Sequence, residues 1–186
     1  GPLDRRMDPA SAESARELIE RLDQDELADV IFELGEERRS RRVARCIKQA
    51  LADGELQTTL DLRRAVVRAV GPRRVGGVDP ATRTFQALRI AVNDELGELR
   101  ALLDLAPRVV RPGGRAVFVS FHSLEDRLVK RAFADRAVWE RLTTKPVTPG
   151  ELERARNPRA RSAKLRAARR RMLTALDGGA RPGAGP

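Results

Sequence analysis

Between residues 11 and 70 the apolar residues recur at helical spacing, and turn signals interrupt them at short intervals. Ser11 is placed to cap a helix carrying Leu18, Ile19 and Leu22, and Asp23 to cap a second carrying Leu27, Val30, Ile31 and Leu34. Gly35 separates these from residues 36–52. There Val43, Cys46, Ile47, Ala50 and Leu51 share one face, with Arg38, Arg39, Arg41, Arg42 and Arg45 around it. Gly54 closes that stretch, and Thr59 can cap a helix lined by Leu60, Ala65, Val66 and Val70. The spacing predicts four short helices with a small core of their own. Cys46 falls on the core face and reads as a packing residue, not a nucleophile.

Residues 71–78 (GPRRVGGV) are rich in breakers and mark a candidate domain boundary. Beyond them, residues 82–105 read as one long amphipathic helix with Phe85, Leu88, Val92, Leu96, Leu99 and Leu103 in register. Pro112, Gly113 and Gly114 turn the chain into AVFVSF (116–121), a short buried strand. This succession predicts an α/β fold with a parallel sheet. A helix opening at Ser123 or Leu124 runs to Phe133. Residues 138–142 and 163–168 are further strand candidates, the second equally suited to a helix by its Ala and Arg content. The Gly/Pro/Ala-rich end, within a tail of residues 172–186, predicts disorder.

Charge adds a partner to this picture. Lys and Arg number 37 against 27 Asp and Glu, a formal net charge of +10. Residues 1–100 hold 18 basic and 19 acidic side chains, whereas residues 101–186 hold 19 and 8, so the whole excess lies in the second half. Residues 154–171 alone carry nine basic side chains and no acidic one. Such asymmetry attracts a polyanion, most often nucleic acid; a solvated surface in an arginine-rich protein is the alternative. With one cysteine and one histidine, a disulfide framework and an ordinary zinc centre are both excluded, and no metal is expected. No apolar run approaches the ~18 residues of a membrane helix, and the first eight residues are not a signal peptide. A soluble, cytoplasmic protein without a membrane partner is expected.

Three stretches concentrate the chemistry. The glycines at 71–77 follow no strand, and Gly113–Gly114 precede one, so neither has the context of a phosphate-binding loop. Residues 120–127 (SFHSLEDR) sit at the C-terminal end of the expected strand, where open α/β sheets place ligands. They lack a nucleophile elbow, so His122 with its serines is no hydrolase triad; Ser123 is suited to cap the next helix. Residues 157–166 (NPRARSAKLR) display four positive charges behind Pro158, as a phosphate-binding loop or a solvated turn.

Together with residues 79–96 (DPATRTFQALRIAVNDEL), these last two stretches resemble the bacterial small-subunit (16S) ribosomal RNA (cytosine-N4)-methyltransferase family. Residues 1–4 (GPLD), 6–9 (RMDP), 35–38 (GEER), 129–130 (VK) and 144–149 (TKPVTP) match it too, so the first residues read as native sequence. Asp79, Leu34 and Arg169 depart from the family, where a histidine, an aromatic and a glutamate are usual. The resemblance implies a class I (Rossmann-like) methyltransferase sheet with an inserted all-helical domain. Residues 1–10 then end the first sheet segment, 11–78 form the substrate-recognition insert, and 79–171 supply the C-terminal half of the sheet domain. In the family GPLD follows a glycine-rich S-adenosylmethionine loop. The resemblance therefore implies that the cofactor site lies upstream and that this chain alone is inactive. It further implies 16S rRNA and the small ribosomal subunit as partners, and a homodimer is possible. Asp4, Asp8, His122 and Glu125 become catalytic candidates; Arg83, Phe121, Arg127, Lys130, Asn157, Arg159, Arg161 and Lys164 become RNA-binding candidates. Two other readings stay open, a non-catalytic RNA-binding module and a helical protein-interaction unit docking through residues 11–70.

Overall fold

The computed structural model describes residues 1–8, 13–73 and 77–172. The chain divides into two compact units, Gly1–Glu95 and Leu96 onward. The first holds α1 (Ala15–Arg21), α2 (Gln24–Gly35), α3 (Ser40–Ala52), α4 (Thr59–Val70) and α5 (Thr82–Asn93). The boundary falls at the start of α6 (Glu95–Val109), well beyond the breaker-rich seam at residues 71–78. α5 falls in the first unit because it packs on α1 and α2. A Cβ added to the buried Gly35 would lie 2.7 Å from the Arg83 carbonyl oxygen, so glycine is what lets α2 and α5 approach.

Local chemistry starts these helices. Ser14 caps α1 with Glu17, Asp23 caps α2 with Glu26, and Thr58 caps α4 with Asp61, each a reciprocal capping box. Ser14 and Thr58 replace the expected Ser11 and Thr59, because only they have a carboxylate three residues on; Ser11 lies outside the described residues. Ile19, Leu27, Ile31, Val43, Ile47, Leu56, Leu62, Val66 and Leu88 form the core, with Cys46 half-buried against it. Leu3 enters the same core, held where Ala15 N donates to Asp4 O and Arg16 N to Leu3 O.

The single helix expected over residues 82–105 is broken. Asp94 adopts φ +43°, a left-handed conformation that Asp tolerates better than most side chains, and α5 ends there.

The second unit contains α6, β1 (Arg115–Ser120), α7 (Ser123–Ala132), β2 (Trp139–Arg141), α8 (Glu151–Arg156), a 3-10 helix (Pro158–Ser162) and β3 (Lys164–Arg170). The sheet order is β1-β3-β2 and both pairings are antiparallel, which corrects the parallel sheet expected from the sequence. The reason lies in where the chain re-enters. The 3-10 helix delivers Lys164 opposite Ser120, the last residue of β1, so β3 runs back along β1 towards Arg115. β1 and β2 share one direction, with β3 reversed between them. The ambiguous stretch 163–168 is therefore strand.

Leu103, Ala106, Ala116, Val129, Phe133, Trp139 and Ala168 make the second core. Phe133 meets Phe118 and Trp139 edge-on, at centroid distances of 5.7 and 5.3 Å. β1 is covered on one face only: Val117 and Val119 are 56% and 52% exposed, against the fully buried strand expected. Among the described residues it is also an edge strand, pairing with β3 alone. Among the described residues no helix is long and apolar enough to cross a membrane.

Candidate functional site

The candidate residues divide between the units. Asp4, Asp8 and Arg83 belong to the first. Phe121, His122, Glu125, Arg127, Lys130, Asn157, Arg159, Arg161 and Lys164 belong to the second.

In the first unit Asn93 organises the segment that carries the two aspartates. Its Oδ1 accepts from Met7 N at 2.7 Å, while Nδ2 donates to Arg5 O at 3.0 Å and Arg89 O at 2.7 Å. Arg5 adopts φ +68° and lays its guanidinium over the Phe85 ring, 5.4 Å from the centroid. Burial depresses the Arg5 pKa. Asp4 accepts from Arg6 Nε and Nη2 at 2.7 and 3.0 Å, and that hydrogen-bonded guanidinium holds its carboxyl below the usual range. Asp8 is exposed. Arg83 is exposed at the start of α5 and donates to Glu36 O at 3.2 Å.

In the second unit the site forms where β1 hands over to α7. The helix cap is His122, not the expected Ser123. His122 Nδ1 accepts from Glu125 N at 3.4 Å, and Glu125 Oε2 accepts from the amides of Phe121 at 2.8 Å and His122 at 3.2 Å. Glu125 Oε1 lies 3.4 Å from His122 Nε2. An Nδ1 that accepts leaves the neutral ring's proton on Nε2, so the turn itself selects the tautomer. The same turn projects Phe121 outward, 53% exposed.

One pair that sequence reasoning missed ties this turn to the sheet. Asp126 accepts from Arg166 Nε and Nη2 at 2.6 and 3.1 Å, with both side chains largely buried. The Arg166 hydrogen bond holds the Asp126 carboxyl low against the opposing effect of burial, and Lys164 Nζ stands 4.0 Å away. The signal was alternation: Arg166 shares the inward face of β3 with Ala168, and an inward arginine calls for an acid.

The second unit's candidate cations on α7, α8 and the 3-10 helix are open to solvent. Arg127 and Lys130 lie exposed on α7. No residue of α8 is buried, and Arg154, Arg156, Arg159 and Arg161 are exposed without an ion-pair partner among the described residues. The stretch expected as a loop is helical: α8 ends at Asn157, whose carbonyl then accepts from Ala160 N at 3.0 Å in the 3-10 helix.

The glycine turn before β1 and the start of α7 are engaged within the fold. Gly113 N donates to Arg170 O, Gly114 O accepts from Arg170 N, and Gly114 N donates to Arg111 O, so that turn is used by the sheet. The amides at the start of α7 are taken by Glu125 and His122. An exposed ring and a set of exposed cations in one unit are suited to a single-stranded polyanion bearing stackable bases.

A family profile described as the MraW methylase family matches residues 1–171. The relatives include "Ribosomal RNA small subunit methyltransferase H" of Sorangium cellulosum (strain So ce56), 72% identical over 170 residues, covering 91% of this chain and 54% of the relative. The proteins of the same name from Synechococcus sp. (strain CC9311) and Acidobacterium capsulatum are 56% and 52% identical, covering 96% and 92% of this chain. Each of those two is itself covered to 58%. The chain thus spans little more than half the length of the curated relatives it matches.

Proposed function

The chain belongs to the MraW methylase family, and from that premise we propose that it is part of an S-adenosylmethionine-dependent methyltransferase acting on the N4 amine of a cytosine in small-subunit ribosomal RNA. The observation that carries this reading is 72% identity, across 91% of the chain, to a relative named as a small-subunit rRNA methyltransferase. Within the proposal, residues 1–10 close a first sheet segment, 11–78 are the helical insert, and 79–171 are the C-terminal half of a class I sheet. The open edge of β1 and the exposed Val117 and Val119 support a sheet that continues beyond these three strands.

The chemistry asks little of a nucleophile and much of geometry. The cytosine amine is weakly nucleophilic because its lone pair is delocalised into the ring. A site gains most by holding that nitrogen in line with the methyl group and by offering an acceptor for its N–H proton. The methyl group comes from the cofactor; this chain's part is to bind and orient the RNA. Phe121 stacks on a base, and the capped turn fixes the imidazole of His122 beside it. Glu125 positions both by holding their amides. Asp4 and Asp8 are the acceptor candidates for the amine proton. Arg83, Arg127, Lys130, Arg159, Arg161 and Lys164 bind phosphates, with Asn157 shaping the turn.

The test is methyl transfer by the uninterrupted reading frame that contains this chain, using labelled S-adenosylmethionine and small ribosomal subunits. Label recovered as N4-methylcytidine in the small-subunit RNA is expected. Label on another base, or none above the uncatalysed background, contradicts the reading.

A further inference from the structure

We propose that the outer face of α3, with the turn before it, is a docking surface for the phosphate groups of an RNA strand, carried by Arg38, Arg42 and Arg45. The inference rests on the reading of the family as rRNA methyltransferases and adds an RNA-binding surface on the helical unit.

Among the described residues of that unit, Arg38, Arg42, Arg45 and Arg73 are the exposed arginines without an ion-pair or hydrogen-bond partner, and the first three lie together at the start of α3. Residues 1–95 hold 17 basic and 18 acidic side chains, and the arginines are mostly committed. Arg16 pairs with Glu20, Arg21 with Glu13, Arg63 with Asp79, Arg68 with Glu55 and Arg89 with Glu95. On α3 itself, Arg41 is drawn to Asp25 and Asp29 of α2, and Arg39 donates to Val70 O. Arg38, Arg42 and Arg45 are exposed and have no such partner among the described residues.

The start of α3, like that of α5, lacks the side-chain cap and first-turn acid found at α1, α2 and α4. α1, α2 and α4 each open with a capping box and an acid in the first turn. α3 has no side-chain cap and no acid there, and Arg38, Arg39, Arg41 and Arg42 crowd the positive end of its dipole. Packing does not ask for this, because Val43, Ala44, Ile47 and Ala50 supply the buried face. An arrangement that local stability disfavours and packing does not require is expected where function imposes it. Arg42 and Arg45 are three residues apart, about 4.5 Å along the axis, and Arg38 stands in the preceding turn. Guanidinium groups in such a row present paired donors to successive phosphates.

The experiment is a salt series of binding between the full 186-residue chain and single-stranded small-subunit rRNA segments. R38A/R42A/R45A should lower the log–log salt slope by roughly two units, at ~0.7 for each single-strand phosphate left without its cation. The three-lysine variant should keep the parental slope. A control removing Arg16, Arg64 and Arg68, arginines held by acids, should leave it unchanged. These positions are exposed or partly so, and coincident thermal melts check that the variants fold. The ridge is overturned if its alanine variant keeps the parental slope, or if the control lowers the slope as much. A parent chain without salt-dependent RNA binding overturns the ridge and the rRNA reading together.

Discussion

Asp126 and Arg166 carry more of the candidate site than either would on a surface. Each side chain is mostly buried, and the pair joins the first turn of α7 to the central strand. Because the folded-state pKa of Asp126 is depressed, the pair stabilises the fold fully above the ordinary Asp value of about 3.9. That stability is lost as pH falls below this value towards the folded pKa. Asp126→Asn should therefore cost about 3 kcal/mol near neutral pH, by leaving Arg166 buried without its counter-charge. The penalty should shrink as acid protonates the parent's carboxyl. Thermal melts of parent and variant from pH 7 down to pH 2 read both effects; a constant difference across that range would mean that Asp126 does not titrate with folding. Alternation on β3 calls for an acid beside Arg166 but does not say which one. The pair's residues lie forty positions apart, and only the register of β3 puts them face to face. His122 shows the same limit on a smaller scale. Ser123 has the better capping side chain by type, but Glu125 can close a reciprocal box only with the residue three before it.

At the scale of elements, most of the chain was readable, because periodicity is a local property. α2, α3, α4, α7 and β1 stand within a few residues of where spacing puts them. The errors came from the backbone and from partners. Asp94 breaks a continuous apolar stripe by turning left-handed. The direction of β3 is set by the α8 and 3-10 segment that precedes it, a segment with no buried face in α8 and hence no pattern to read. That exposed segment is where phosphate binding belongs in this account. Replacing Arg159, Arg161 and Lys164 together with alanine should flatten the salt slope of RNA binding by roughly two units. Phe121→Ala should weaken binding by about 1–3 kcal/mol with the slope nearly unchanged, since a stacked base releases few ions. Filter binding across a salt range separates the two. A triple variant with the parental slope would make residues 157–164 an ordinary solvated turn.

At the scale of the whole molecule, two compact units carry opposite charge characters, one balanced and one strongly basic. The asymmetry was plain in the sequence. The compact units divide after Glu95, past the breaker-rich seam, because only packing marks a unit. In this account the chain contributes RNA recognition, while the turn at Gly113–Gly114 and the start of α7 are engaged within the fold. The most direct test is calorimetric titration of the 186-residue chain with S-adenosylmethionine. No saturable heat at micromolar concentrations is predicted. A micromolar dissociation constant, about −8 kcal/mol, would show that the described residues do form a methyl-donor site and would contradict the account.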